Sequence, residues 1–132
     1  MKKCIAQPPG LPAPSAYAHV VAASGGTTLY IAGQVALDAA GQLVGPGDLA
    51  AQAEQACANL GLALKSAGAG FADVVKLTIY VVDYGAEYGA PLRLLRERMF
   101  PAPDQPACTI VGVQALGRPG LMIEIDATAV IG

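Results

Sequence analysis

The chain has 132 residues, of which 54% are hydrophobic and only 14% charged, with eight Lys and Arg against ten Asp and Glu. A net charge of −2, with Arg93, Arg96 and Arg98 interleaved with Glu97, excludes the basic face that neutralises phosphates in nucleic-acid binding. A membrane partner is excluded as well, because no run approaches the roughly twenty apolar residues of a spanning helix.

In chain order, the opening MKKCIAQPPG carries two lysines but lacks the apolar core of a signal peptide, so a cytoplasmic location is expected. Residues 3–7 suit a short edge strand. The proline-rich PPGLPAPSAY that follows is expected as an extended loop over the surface. AHVVAAS (18–24) and TLYIAGQ (28–34) are strand-like runs, and Gly25-Gly26 between them signals a tight hairpin. DAAG at 38–41 reads as a further turn, with a brief return at 42–44.

Asp48 then offers a helix N-cap. Leu49, Ala53, Ala56, Leu60 and Leu64 recur at helical spacing behind it, and Gly68 closes the helix. Cys57 on this helix is expected in the core. DVVKLTIYVVD (73–83) is a β-branched strand in which Lys76, Thr78 and Tyr80 alternate with Val75, Leu77 and Ile79. A second helix is expected over 84–100, firmest over 92–99 because Gly85, Gly89 and Pro91 weaken its start. Two strands end the chain, PACTIVGV (106–113) and LMIEIDATAVI (121–131).

The order β, β, β, α, β, α, β, β, with both helices on one face, predicts a two-layer α+β sandwich forming a single domain over residues 1–132. So apolar a composition with so few charges predicts that the remaining surface is partly covered by copies of the same chain.

Three cysteines, Cys4, Cys57 and Cys108, odd in number and without close spacing, read as reduced, independent thiols. One histidine, His19, and no cysteine pair leave no metal site of the usual nitrogen–sulfur spacing. GQLVGPG (41–47) precedes a helix but lacks the lysine and hydroxyl of a phosphate-binding loop, so it reads as a turn. Cys108 with His19 would make a nucleophilic pair if the two were in hydrogen-bond reach and the thiol pKa were depressed; otherwise Cys108 is a small packing residue. On the last strand Leu121, Ile123, Ile125 and Ala127 share one face, while Glu124, Asp126 and Thr128 share the other. Glu124 is either part of a solvated strand face or a carboxylate that holds a water, as acid or base, in a cleft between subunits.

Four stretches in succession resemble the Rid family (reactive intermediate deaminases, also called YjgF and endoribonuclease L-PSP). AYAHVV resembles the family's early tyrosine loop and strand, and LYIAGQVALDAAGQLVG its SGQ-and-hairpin segment. QAEQACANLGLALKSAGAGFADVVKLTIYVVD resembles its central Q-x₆-N-L signature, and PACTIVGVQALGRPGLMIEIDATAV its PARS-to-VEIE ending. The resemblance implies a chorismate-mutase-like fold, with a mixed sheet bearing two helices on one face. It also implies a homotrimer with small-molecule ligands in three clefts between subunits, and hydrolysis of enamines and imines such as 2-aminoacrylate without a cofactor.

Carried over by position, the family's water-orienting glutamate is Glu124, its loop tyrosine is Tyr17, and the glycine and glutamine of the SGQ motif are Gly33 and Gln34. The motif's serine is Ala32 here, and the arginine that clamps the substrate carboxylate is Cys108. Arg93 falls near the family's helix asparagine; it reads first as an exposed helix arginine beside Glu97, and otherwise as a candidate for the missing cation. A thiol neither neutralises a carboxylate nor grips it by two parallel hydrogen bonds. Weak activity on 2-aminoacrylate and a preference for neutral ligands are therefore expected. The alternatives are a non-catalytic metabolite-binding trimer and, third, an RNA-cleaving protein, against which the acidic composition argues.

Overall fold

The computed structural model describes residues 2–132. The chain opens with β1 (Lys2–Ile5) and β2 (Val20–Ala23), which pair antiparallel with each other as a separate small sheet. The tight hairpin expected between 18–24 and 28–34 does not form. β3 (Thr27–Val35) pairs along one edge with the C-terminal strand and, among the described residues, has no ladder partner on the other, while β2 pairs with β1. Gly25 and Gly26 still turn the chain, with φ of +72° and +70°. A Cβ on Gly26 would overlap the Ile131 carbonyl oxygen, so this close approach requires glycine.

Helix α1 (Leu49–Ser66) begins where the sequence predicts, with Asp48 Oδ1 accepting from Ala51 N at 3.1 Å. At its end Gly68, at φ +75°, donates to Lys65 O at 3.0 Å, and Ala69 donates to Leu64 O at 2.9 Å. That pair of bonds satisfies the last carbonyls of the helix. β4 (Val74–Val82) follows, then α2 (Gly89–Met99), β5 (Ala107–Val113) and β6 (Ile123–Ile131). α2 is shorter than the 84–100 expected. Residues Ala86–Tyr88 form a 3₁₀ turn ahead of it, and Pro91 lies in its first turn, where a missing N–H is harmless.

The main sheet has the order β3-β6-β4-β5, antiparallel except for the β4–β5 pair. One face carries Leu77, Ile79 and Val81 of β4 with Ile123, Ile125, Ala127 and Ala129 of β6, all buried. Against them pack Ala53, Ala56, Leu60 and Leu64 of α1, and Leu92 and Leu95 of α2. Cys57 belongs to this core as expected. Each fully buried aliphatic side chain contributes about 1.5–3 kcal/mol. The helices thus cover one face of the sheet and leave the other open within the subunit.

Two polar side chains of α1 tie this frame to the sheet. Gln52, fully buried, donates from Nε2 to Gly45 O and Gly120 O, and its Oε1 accepts from Met122 N at 2.8 Å. Asn59 Nδ2 donates to Val35 O at 2.9 Å and Leu37 O at 2.8 Å. They pin the end of β3 and the start of β6, two residues from Glu124.

Candidate active site

Glu124, Asp126 and Thr128 project from the open face of β6, opposite Tyr80, Thr78 and Lys76 of β4. Tyr80 donates its hydroxyl to Asp126 Oδ2 at 3.2 Å. The phenol pKa is raised, first by the charge of Asp126 and its hydrogen bond, then by burial and the charge of Glu124. Both carboxylates therefore keep a protonated hydroxyl beside them.

The other wall is β3. Its register with β6 slips between Ile31 and Gln34, so Ala32 and Gly33 occupy a bulge. Bulges re-aim a strand locally, and here the bulge lies beside Glu124. A Cβ built on Gly33 would collide with Glu124 Oε2 and come within 2.8 Å of its Cγ. Glycine at 33 makes the room in which this carboxylate lies. Gln34 turns back on the bulge, its Nε2 donating to Ala32 O at 3.1 Å. Ala32 is exposed and presents a methyl where the resembling family has a hydroxyl.

Cys108 is elsewhere. It stands in register with Leu77 on β5 and packs on the core from the helix-covered side. Glu124 stands opposite Tyr80 on the other face. β4 lies between their strands, so they sit two strand spacings apart, three residues offset along β4, and on opposite faces. The single subunit does not bring them together.

β5 is the edge strand on the β4 side of the sheet, and the loop before β2 runs along it. Ala18 bridges Ala107 in parallel, with Ala18 N donating to Pro106 O at 3.0 Å. This places Tyr17, half-buried, at the same edge as Cys108. The Tyr17 ring lies edge-on to His19, with centroids 5.2 Å apart. His19 Nε2 lies 2.8 Å from Pro12 O, so that nitrogen is engaged by the loop itself. Burial pushes the Cys108 thiol pKa up, against the opposing charge and hydrogen bonding of Arg96 and the charge of Lys76. A thiol so held is a poor nucleophile.

The cation beside Cys108 is thus Arg96. Arg93 is half-exposed, with its Nε 3.9 Å from Glu97 Oε1. Arg96, only 8% exposed, was legible in principle: it falls four residues after Leu92, on the apolar stripe of α2. A hollow between α1 and α2 lies apart from both clusters. Leu49, Ala53, Tyr88, Leu92 and Leu95 line it, and its Glu54 and Arg98 pair with each other.

Comparison with known proteins agrees with this frame. The family model for endoribonuclease L-PSP matches residues 10–131. A 2-iminobutanoate/2-iminopropanoate deaminase of Rattus norvegicus is 40% identical over 106 residues, covering 80% of this chain and 74% of the rat protein. The Rid-family protein YyfB of Yersinia pestis, described as of unknown function, has a crystal structure that superposes with a TM-score of 0.92 at 42% identity. It covers 98% of both chains. A member of the YjgF/YER057c/UK114 family from Mycobacterium tuberculosis superposes with a TM-score of 0.67 at 30% identity, covering 99% of this chain and 100% of that one. The α+β architecture is therefore that of a known class of small enzymes and relatives. The chain belongs to the Rid, or endoribonuclease L-PSP, family.

Among the described residues, no helix is long and apolar enough to cross a membrane.

Proposed function

We propose that this protein is a hydrolytic deaminase of enamine- and imine-type reactive metabolites, working without a cofactor in clefts between the subunits of a homotrimer. The observation that carries the reading is the Glu124 carboxylate laid over Gly33 at the β3 bulge, on a face the helices leave open. The 2-imino acid deaminases among its relatives support the same chemistry. Glu124 accepts a proton from water as the oxygen bonds to the imine carbon. That proton passes to nitrogen to give a carbinolamine, and the carbinolamine hydroxyl then gives up its proton, which reaches the amine as the C–N bond breaks, so ammonia leaves and the oxo product forms.

Because Cys108 and Glu124 occupy opposite faces, a site using both draws them from different subunits. That geometry supports the trimer, with Tyr17, Ala32, Gly33 and Gln34 as the surrounding walls. The substitution of arginine by Cys108 and of serine by Ala32 changes how substrate is held, and with it the substrate range. Cys108 shapes the pocket without acting as a nucleophile, since its thiol stays protonated.

Ammonia release from a panel of imines tests the reading. Turnover by the wild type, lowered roughly 10²–10⁴-fold in Glu124→Gln, is expected. Binding without any ammonia release would leave a non-catalytic metabolite-binding trimer. Cleavage of RNA by the wild type and not by Glu124→Gln would overturn both.

A further inference from the structure

The trimer proposed above covers the open face of the sheet and leaves the outer face of the helix layer uncovered. That outer face is apolar in its middle: Leu62 of α1 is 65% exposed and Leu94 of α2 is 59% exposed. Between the two helices runs a groove of two adjoining hollows. The first, of about 370 Å³, has Leu49, Ala53, Tyr88 and Leu95 in its walls and Leu94 on its bank. The second, of about 440 Å³, has Cys57, Gly61, Phe71 and Met99 in its walls and Leu62 on its bank. Glu54 and Arg98, paired with each other, line both hollows and so mark the middle of the groove. From Leu49 to Lys65 the groove follows α1 for about 24 Å.

The charge along this groove is divided by sign. Glu87 lies at the Leu49 end and Lys65 at the far end. Among the described residues the ion pairs are Arg93–Glu97 and Arg98–Glu54, so neither Glu87 nor Lys65 is in one. A surface with an acidic end, a neutral middle and a basic end is complementary to itself after half a turn. A two-fold axis laid across the groove at the Glu54–Arg98 pair sets Glu87 of each copy against Lys65 of the other. The same axis carries Leu62 of each copy to the first hollow of the other, and Leu94 to the second. Both helices run from the first hollow toward the second, so the axis also opposes their dipoles across the contact.

We infer that a second copy of this chain docks on the α1–α2 groove about such a two-fold axis, joining one trimer to another through their helix layers. A foreign helix would bury the leucines as well. A second copy brings the matching charge to each end from residues already on this surface. A face about 24 Å long and two helices wide buries on the order of 1,000 Å² over both copies, below the roughly 1,600 Å² of a standard interface. The pairing is therefore weak, absent in dilute solution and filled as the concentration rises. It is independent of the deaminase reading, because Glu124 lies on the far face of the sheet from both helices.

The test is the mass of the full chain by light scattering from about 5 to about 500 µM, a range that brackets weak association. The wild type is expected to rise from the mass of three chains toward that of six. Leu94→Glu should hold the low-concentration mass throughout. Lys65→Glu and Glu87→Lys should each raise the concentration needed for pairing by at least about tenfold, because each sets like charges together twice. The two changes combined in one chain exchange the signs of the ends and should restore pairing. All three positions are exposed, so the variants keep the fold. A wild-type mass that stays constant over the whole range overturns the inference. A combined variant that pairs no better than either single one overturns it too. So does a groove that takes up a foreign helix or an apolar molecule on a chain that never doubles. Failure of the proposed trimer looks different, since the same pairing then takes one chain to two. Failure of the deaminase reading leaves the masses as they are and shows only in the missing ammonia.

Discussion

The carboxylate of Glu124 lies in the space that a side chain at Gly33 would fill. Gly33→Ala should therefore displace the acid while barely disturbing the fold. The backbone there is not in the left-handed region, and the atoms first met are the far end of a flexible side chain. A stability change within about 1 kcal/mol is expected, since the side chain can rotate away at small cost. Imine turnover should fall at least about tenfold, because misplacement of a catalytic group by about 1 Å is costly. Denaturation curves and ammonia release on the same variant check both halves.

Tyr30 projects from β3 opposite Thr128 on the open face and is 84% exposed in the subunit. In the proposed trimer this aromatic is expected to lie in the contact between subunits. Light scattering of the wild type in dilute buffer should report three chains, and Tyr30→Glu should shift the mass toward one. Imine turnover should fall with the mass, because the proposed cleft needs two subunits.

Gln52→Leu should destabilise the protein by about 2–4 kcal/mol, leaving the Met122 N–H and the carbonyls of Gly45 and Gly120 without their partner. The change should appear as a lower urea midpoint at unchanged slope. Leu62→Ala, at an exposed position on the same helix, should stay within about 0.5 kcal/mol.

Burial pushes the Cys57 thiol up to about 12 from an ordinary value of 9.0. Alkylation at pH 8 should therefore spare Cys57 in the folded protein and modify it once urea is added. The sign of the linkage follows. The folded state holds its proton where the unfolded state has lost it, so this contribution is complete below about pH 9 and disappears as the pH rises toward 12. Cys57→Ala should flatten the fall in stability across that window.

Local pattern carried much of this protein into view. The period-2 alternation along residues 121–131 separated Glu124 and Asp126 from Ile123 and Ile125, as the buried and half-buried faces of β6 now show. The helical spacing after Asp48 marked α1 with its cap, and the order of elements and the family followed from the same motifs. These features depend on neighbours close in sequence, where side-chain direction and capping are determined by the backbone itself. Strand partners do not. The glycine pair at 25–26 signals a turn, yet whether β2 joins β3 or β1 depends on how distant parts of the chain dock. That β4 enters between β6 and β5, and so separates Glu124 from Cys108, is not legible in the local pattern for the same reason. Likewise, Arg93 and Arg96 differ by less than one helical turn, and only the docking of α2 on the sheet decides which is sealed beside Cys108 and which stays with Glu97 in solvent. The sequence by itself determined the elements and their apolar faces, because those follow from short-range periodicity. The tertiary structure alone decided the strand neighbours and the buried cation, because long-range pairing and packing select one arrangement among several that the local pattern allows.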